Sequence, residues 1–201
     1  MRLPNTEHTS RPWRIHELTR GFRLEDVWAL PTPGGPDDFP RLVELVASGD
    51  AARGSSRAAD VLWAIRRRLG AVLGWDDPAP GPHRATLRDR LPPDLRAGPS
   101  GPGRLPFTPL YLTADEWAAE IINRTVHGVL HLGWVMDQPG RYHGQLAVYA
   151  KPNGLLGAAY MAGITPFRHL IVYPPMIQAI GHAWQARGAS PSQPRRVLRQ
   201  P

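Results

Sequence analysis

Eight histidines and no cysteine set the chemistry available to this chain of 201 residues. Without cysteine there can be no disulfide, no cysteine-ligated iron–sulfur cluster and no thiol nucleophile. The spacing in His127-Gly128-Val129-Leu130-His131 is that of a two-histidine metal site on a helix, where the rings would stand roughly 6 Å apart. On a strand the same pair is separated by about 13 Å and cannot share an ion. Thr125 to Val135 is β-branched, aromatic and dotted with glycine, which predicts a strand, so the shared ion is rejected and no metal is expected. His143 is placed on the same face, and a wet, outward-facing polar surface is the expectation for all three histidines. Lys151 is the sole lysine, and its Lys-Pro-Asn-Gly setting reads as a turn rather than a Schiff base. No phosphate loop, dinucleotide glycine motif or nucleophile elbow is present, and no cofactor is expected.

The opposite parity of that strand carries Gly128, Leu130, Leu132 and Trp134, a set that must face a core. In Tyr142 to Ala150 the apolar set is again even: Gly144, Leu146 and Val148 with Tyr142 and Ala150. Both sets face the same way only if Met136 pairs with Tyr142, leaving a five-residue loop from Asp137 to Arg141. Asn153 or Gly154 then starts a long helix. Leu156, Tyr160, Gly163, Phe167, Leu170, Ile171, Pro174, Ile177 and Gly181 keep helical spacing, and kinks are expected at Pro166 and Pro174-Pro175. Glycines at 128 and 144 leave volume between strands and helix. That predicts an internal apolar cavity lined by Gly128, Leu130, Leu132, Trp134, Gly144, Leu146 and Val148, and by Tyr160, Phe167 and Ile171 from the helix. The alternative is that the aromatic side chains fill the space, or that the glycines are bulges.

The rest of the chain frames this unit. Residues 1–10 read as a loose lead, residues 11–188 as one domain, and residues 189–201 as a disordered basic tail. Trp13 and Ile15 alternate with polar neighbours, and Phe22 to Leu30 predicts a first strand. Asp37 or Asp38 caps a helix with Phe39, Leu42, Val43 and Val46 on one face, and Ser55 or Ser56 caps a second. Eight prolines between 76 and 106 predict a loop, either a lid or a disordered insertion, with a short ordered piece at Thr86 to Leu91. Thr113-Ala114-Asp115-Glu116 is a capping box, which would make Trp117 to Ile122 helical. The sequon Asn123-Arg124-Thr125 is read as a strand turn.

Leu156-Gly157-Ala158-Ala159-Tyr160-Met161-Ala162-Gly163-Ile164-Thr165-Pro166-Phe167-Arg168-His169-Leu170-Ile171-Val172 resembles the closing motif of a bacterial, actinobacterial-type domain family of unknown function. That domain also occurs behind short-chain-dehydrogenase-like domains. Leu24 to Pro31 and Asn123 to Gly128 match as well, so the resemblance spans about Arg11 to Trp184. The family resembles the helix-grip superfamily of polyketide cyclases, START-type lipid carriers and plant allergen proteins. The resemblance implies an α+β fold in which a curved antiparallel sheet wraps a long C-terminal helix, with two short helices after the first strand. It also implies strand, against the capping box, for Trp117 to Ile122. Relatives carry histidine directly after the Pro-Phe pair. Here Arg168 holds that place and His169 follows, a rotation of about 100° on a helix.

The net charge of +7 is not spread evenly. Met1 to Asp137 holds 17 basic and 17 acidic residues, and all seven excess cations, Arg141, Lys151, Arg168, Arg187, Arg195, Arg196 and Arg199, follow. A balanced body argues against a nucleic-acid partner. With neither an apolar run long enough to span a membrane nor a signal-peptide pattern, a cytoplasmic address is expected. Three functions fit. The first is a module binding a small apolar or aromatic molecule in the cavity. The second is a cyclase or hydratase with Tyr160 as acid and Arg168 or His169 as proton-transfer or oxyanion partner. The third is binding of an anionic polymer or membrane surface through the basic tail.

Overall fold

The computed structural model describes residues 1–48, 86–103, 107–123, 126–154 and 173–188. Six strands form one antiparallel sheet: β1 (Arg2–Leu3), β2 (Arg23–Ala29), β3 (Thr108–Leu112), β4 (Glu116–Ile122), β5 (Val126–Gln138) and β6 (Arg141–Pro152), in the order β1-β2-β6-β5-β4-β3. Short helices α1 (Thr6–Thr9) and α2 (Ile15–Leu18) precede β2. Helix α3 (Phe39–Ser48) follows it, α4 (Pro93–Ala97) lies between α3 and β3, and α5 (Tyr173–Gly188) closes the described chain. The predicted second helix from Ser55 or Ser56, the helix stretch from 155 to 172 and the tail lie outside the described residues.

Strand parity sorts the sheet's side chains onto two faces, as the sequence pattern requires. On the inner face Trp28, Trp117, Leu132, Trp134 and Leu146 pack against Phe39, Leu42 and Leu45 of α3 and Ile177, Ile180 and Trp184 of α5. Helix α3 forms where the spacing predicted it. Asp38 stands just before the helix and accepts from Gly35 N at 2.8 Å, fixing the chain's entry into it. Met136 pairs with Tyr142 as expected. The ladder then continues past a bulge to Gln138 and Arg141, so the turn is tighter than five residues, with Gly140 at φ 77° supplying the left-handed backbone. Trp117 to Ile122 is strand. The capping-box Thr113 serves a β3–β4 turn, its hydroxyl accepting from Glu116 N at 2.9 Å.

The outer face corrects three expectations. It is not wet: Val27, Val129, Val135, Ala147 and Tyr149 form a second core with Trp13, Ile15 and Leu18 from the N-terminal segment and Leu87, Leu91 and Leu95 from the proline-rich segment. The first ten residues are not a loose lead, because Arg2–Leu3 pairs with Val27–Trp28 and His8 is fully buried. Residues 86–103 are neither lid nor disordered insertion. They include a single-turn helix over Leu87–Arg90, and α4, and Leu87, Leu91 and Leu95 at four-residue spacing put one side of the segment against the sheet. Gly133 makes room for this layer, since a Cβ there would stand 2.8 Å from the Trp13 ring.

Candidate functional site

Two glutamates four residues apart on β4 face two histidines four residues apart on β5, so one diagonal contact is made twice. His131 Nε2 lies 3.1 Å from Glu116 Oε2, and His127 Nε2 lies 2.7 Å from Glu120 Oε2. Each carboxylate also holds a segment that crosses the sheet. Glu116 accepts from Arg14 N at 2.9 Å, Ile15 N at 3.4 Å and the Tyr111 hydroxyl at 2.9 Å, and Glu120 accepts from Leu87 N at 3.0 Å. Burial pushes the Glu116 carboxyl upward, but these donors, His131 foremost, outweigh it and hold it below the ordinary carboxylate range. Burial dominates at His131 and lowers its pKa, so a neutral ring donates from Nε2 to an ionised Glu116.

Three imidazoles meet behind this latch. The His8 ring centroid is 5.0 Å from His131 and 5.2 Å from His16. His16 Nδ1 is 3.1 Å from the Tyr149 hydroxyl, and His8 Nδ1 is 2.7 Å from Gln145 Oε1. Burial, with the neighbouring His131 adding to it, drives His8 down to about 3, so it is neutral and donates from Nδ1 to Gln145. His8 and His131 are both fully buried, while His16 is half-buried. The cluster joins the N-terminal segment to β5 and β6.

The opening in the surface lies beside it. A groove of about 700 Å³ runs between the N-terminal segment, residues 29–34 and the end of the β5–β6 hairpin. Leu3, Ala29 and Val135 give it apolar walls, and Glu7, Arg11, Asp137, His143 and Gln145 give it polar ones. Residues 30–34 are held as a wall by Leu30 N donating to Gly144 O at 2.8 Å and by the Gly34–Tyr142 bridge. Asp137 Oδ2 stands 2.9 Å from His143 Nδ1. Arg11 has no ion-pair partner among the described residues, and its Nε is buried without an acceptor.

The cavity residues predicted from sequence are divided. Leu132, Trp134 and Leu146 are packed into the inner core, and the space opposite Gly144 is taken by Leu42, whose Cδ2 would be 2.4 Å from an added Cβ. Gly128 lies against Ile121, while Leu130 and Val148 are half-buried partners across the β5–β6 ladder. Tyr160, Phe167, Arg168, His169 and Ile171 lie outside the described residues. Glu116, Glu120, His8 and the groove escaped the sequence reading, although the matched four-residue spacing of Glu116/Glu120 and His127/His131 on neighbouring strands was a usable signal. Among the described residues no group of three or more potential metal-ligating side chains converges.

Residues 18–175 match the sequence profile of DUF2867, described as a protein family of unknown function. The chain belongs to this family. No curated protein and no solved structure matches it. The DUF2867 span includes Glu116, Glu120, His127, His131, Gln145 and Tyr149, whereas His8, Arg11, Arg14 and Ile15 precede it. One wall of the groove is therefore formed by residues outside the DUF2867 match. No described helix is long and apolar enough to cross a membrane.

Proposed function

We propose that this DUF2867 domain is a helix-grip module that binds a small molecule, and that the site is the groove on the outer face of the sheet. The groove's volume of about 700 Å³, with apolar walls and a few polar groups, carries the reading, because that is the size and character of a small-ligand site. The helix-grip assignment is supported by the strand order. The first long strand, β2, pairs with the last, β6, and α3 and α5 share one face. On the inner face, where the sequence pointed, side chains of α3 and α5 pack against the described centre.

A fragment screen by nuclear magnetic resonance tests this. Bound fragments should shift the resonances of Leu3, Val135 and Gln145. Ala29 points to the outer face by alternation with Val27, so Ala29→Trp should fill the groove and remove those shifts while circular dichroism stays native. A folded protein in which no fragment shifts those residues would refute the reading. A second reading is an enzyme of hydratase or cyclase type in which His143 on the groove is the base, with the Asp137 carboxylate 2.9 Å from its Nδ1 to stabilise the charged ring. In that case bound fragments should turn over, and His143→Gln should stop turnover while binding persists.

A further inference from the structure

The groove contains a cation with an unmet demand. Arg11 is half-buried, has no ion-pair partner among the described residues, and presents an Nε that is buried and without an acceptor. A buried donor left unbonded is costly, and more so when it belongs to a charged group. Arg11 also lines the groove, so an anion bound there can pair with its guanidinium. Gln145 lines the same groove, fully buried, with its oxygen already taken by His8 Nδ1 at 2.7 Å. The amide nitrogen is thus the donor that Gln145 has left to offer.

The rest of the lining limits what the acceptor can be. Glu7 and Asp137 border the same groove, and Asp137 Oδ2 stands 2.9 Å from His143 Nδ1. A dianion would meet these carboxylates, with Arg11, the exposed Arg141 and the Met1 ammonium as the cations on the same lining. A single planar carboxylate suits the guanidinium fork better, since the two pair edge to edge. The remaining walls, Leu3, Ala29 and Val135, suit an apolar body.

We propose that the groove binds an amphipathic organic monoanion, its carboxylate on Arg11 and Gln145 and its apolar body against Leu3, Ala29 and Val135. This rests on the groove being the ligand site. The experiment separates the two claims by using 4-phenylbutyrate and its neutral amide, 4-phenylbutanamide, titrated into the full chain by calorimetry. The acid should bind at least tenfold more tightly than the amide, which corresponds to about 1.4 kcal/mol. Arg11→Gln should bring the two to equal affinity, and Arg11→Lys, which keeps the charge but loses the fork, should fall between. Equal binding of acid and amide to the unaltered protein would overturn the anion claim and leave the groove claim standing. Binding of neither, together with an empty fragment screen, would end both. The comparison on the unaltered protein decides the matter even if Arg11→Gln fails to fold.

Discussion

His8 gives the outer layer a calculable sensitivity to acid. Its folded pKa of about 3 lies below the ordinary 6.5 because burial, and then His131, disfavour the charged ring. A base with a depressed folded pKa contributes stability that is complete above 6.5 and is lost as pH falls toward 3, because in that window the unfolded chain binds the proton first. Each full unit is worth about 1.4 kcal/mol, and allowing for the rounding of the titration near 6.5, His8 should remove about 2 kcal/mol between pH 6.5 and 4.5. Urea melts of the parent and of His8→Gln at pH 6.5, 5.5 and 4.5 measure this directly. The variant will be weaker at neutral pH, having lost a packed ring, so the quantity to compare is the change with pH. The parent should fall by about 2 kcal/mol more than the variant over this range. His131, also depressed, keeps some slope in both proteins. Parallel losses in parent and variant would refute a neutral, buried His8.

Other expectations follow from the same layer. Replacing His131 with leucine removes a donor from the buried Glu116 and should cost about 1–3 kcal/mol in a chemical melt, where a solvated outer face would show no loss. Gly133→Ala places a Cβ against Trp13 and should destabilise by about 1–3 kcal/mol, with a change in tryptophan fluorescence. Leu91→Ala should cost about 2–5 kcal/mol if the proline-rich segment is part of the core, as thermal unfolding will show.

Period-two alternation made much of the sheet legible. It placed Leu132, Trp134 and Leu146 on one face and fixed the Met136–Tyr142 pair, because a one-residue slip would have turned one apolar set outward. It could not say what covers the other face. His127, His131 and His143 look solvent-facing when read singly, and the layer that buries His131 comes from segments whose apolar residues are sparse and interrupted by proline. Glu116 was read as the end of a capping box. The same Thr113 hydroxyl bonds form in a β-turn, so local chemistry alone did not separate helix from strand there. The groove is made by three stretches distant in sequence, and no window along the chain contains it.

The two crossing segments share a mode of attachment. Apart from the two-residue β1, neither adds a strand across the outer face. Each lays apolar side chains on it and is anchored through main-chain N–H groups to one glutamate of β4. Ladder bonds tie a strand in at every second residue, whereas beyond β1 these segments are held at scattered points: Arg14, Ile15, His8 and His16 on one, Leu87 and Pro99 on the other. The outer layer is thus suited to open as a unit while the six-stranded ladder and its helices stay closed, a separate rung in the protein's hierarchy of local stabilities. Because the N-terminal segment also forms a wall of the groove, whatever fills that groove ties this rung to the rest of the fold.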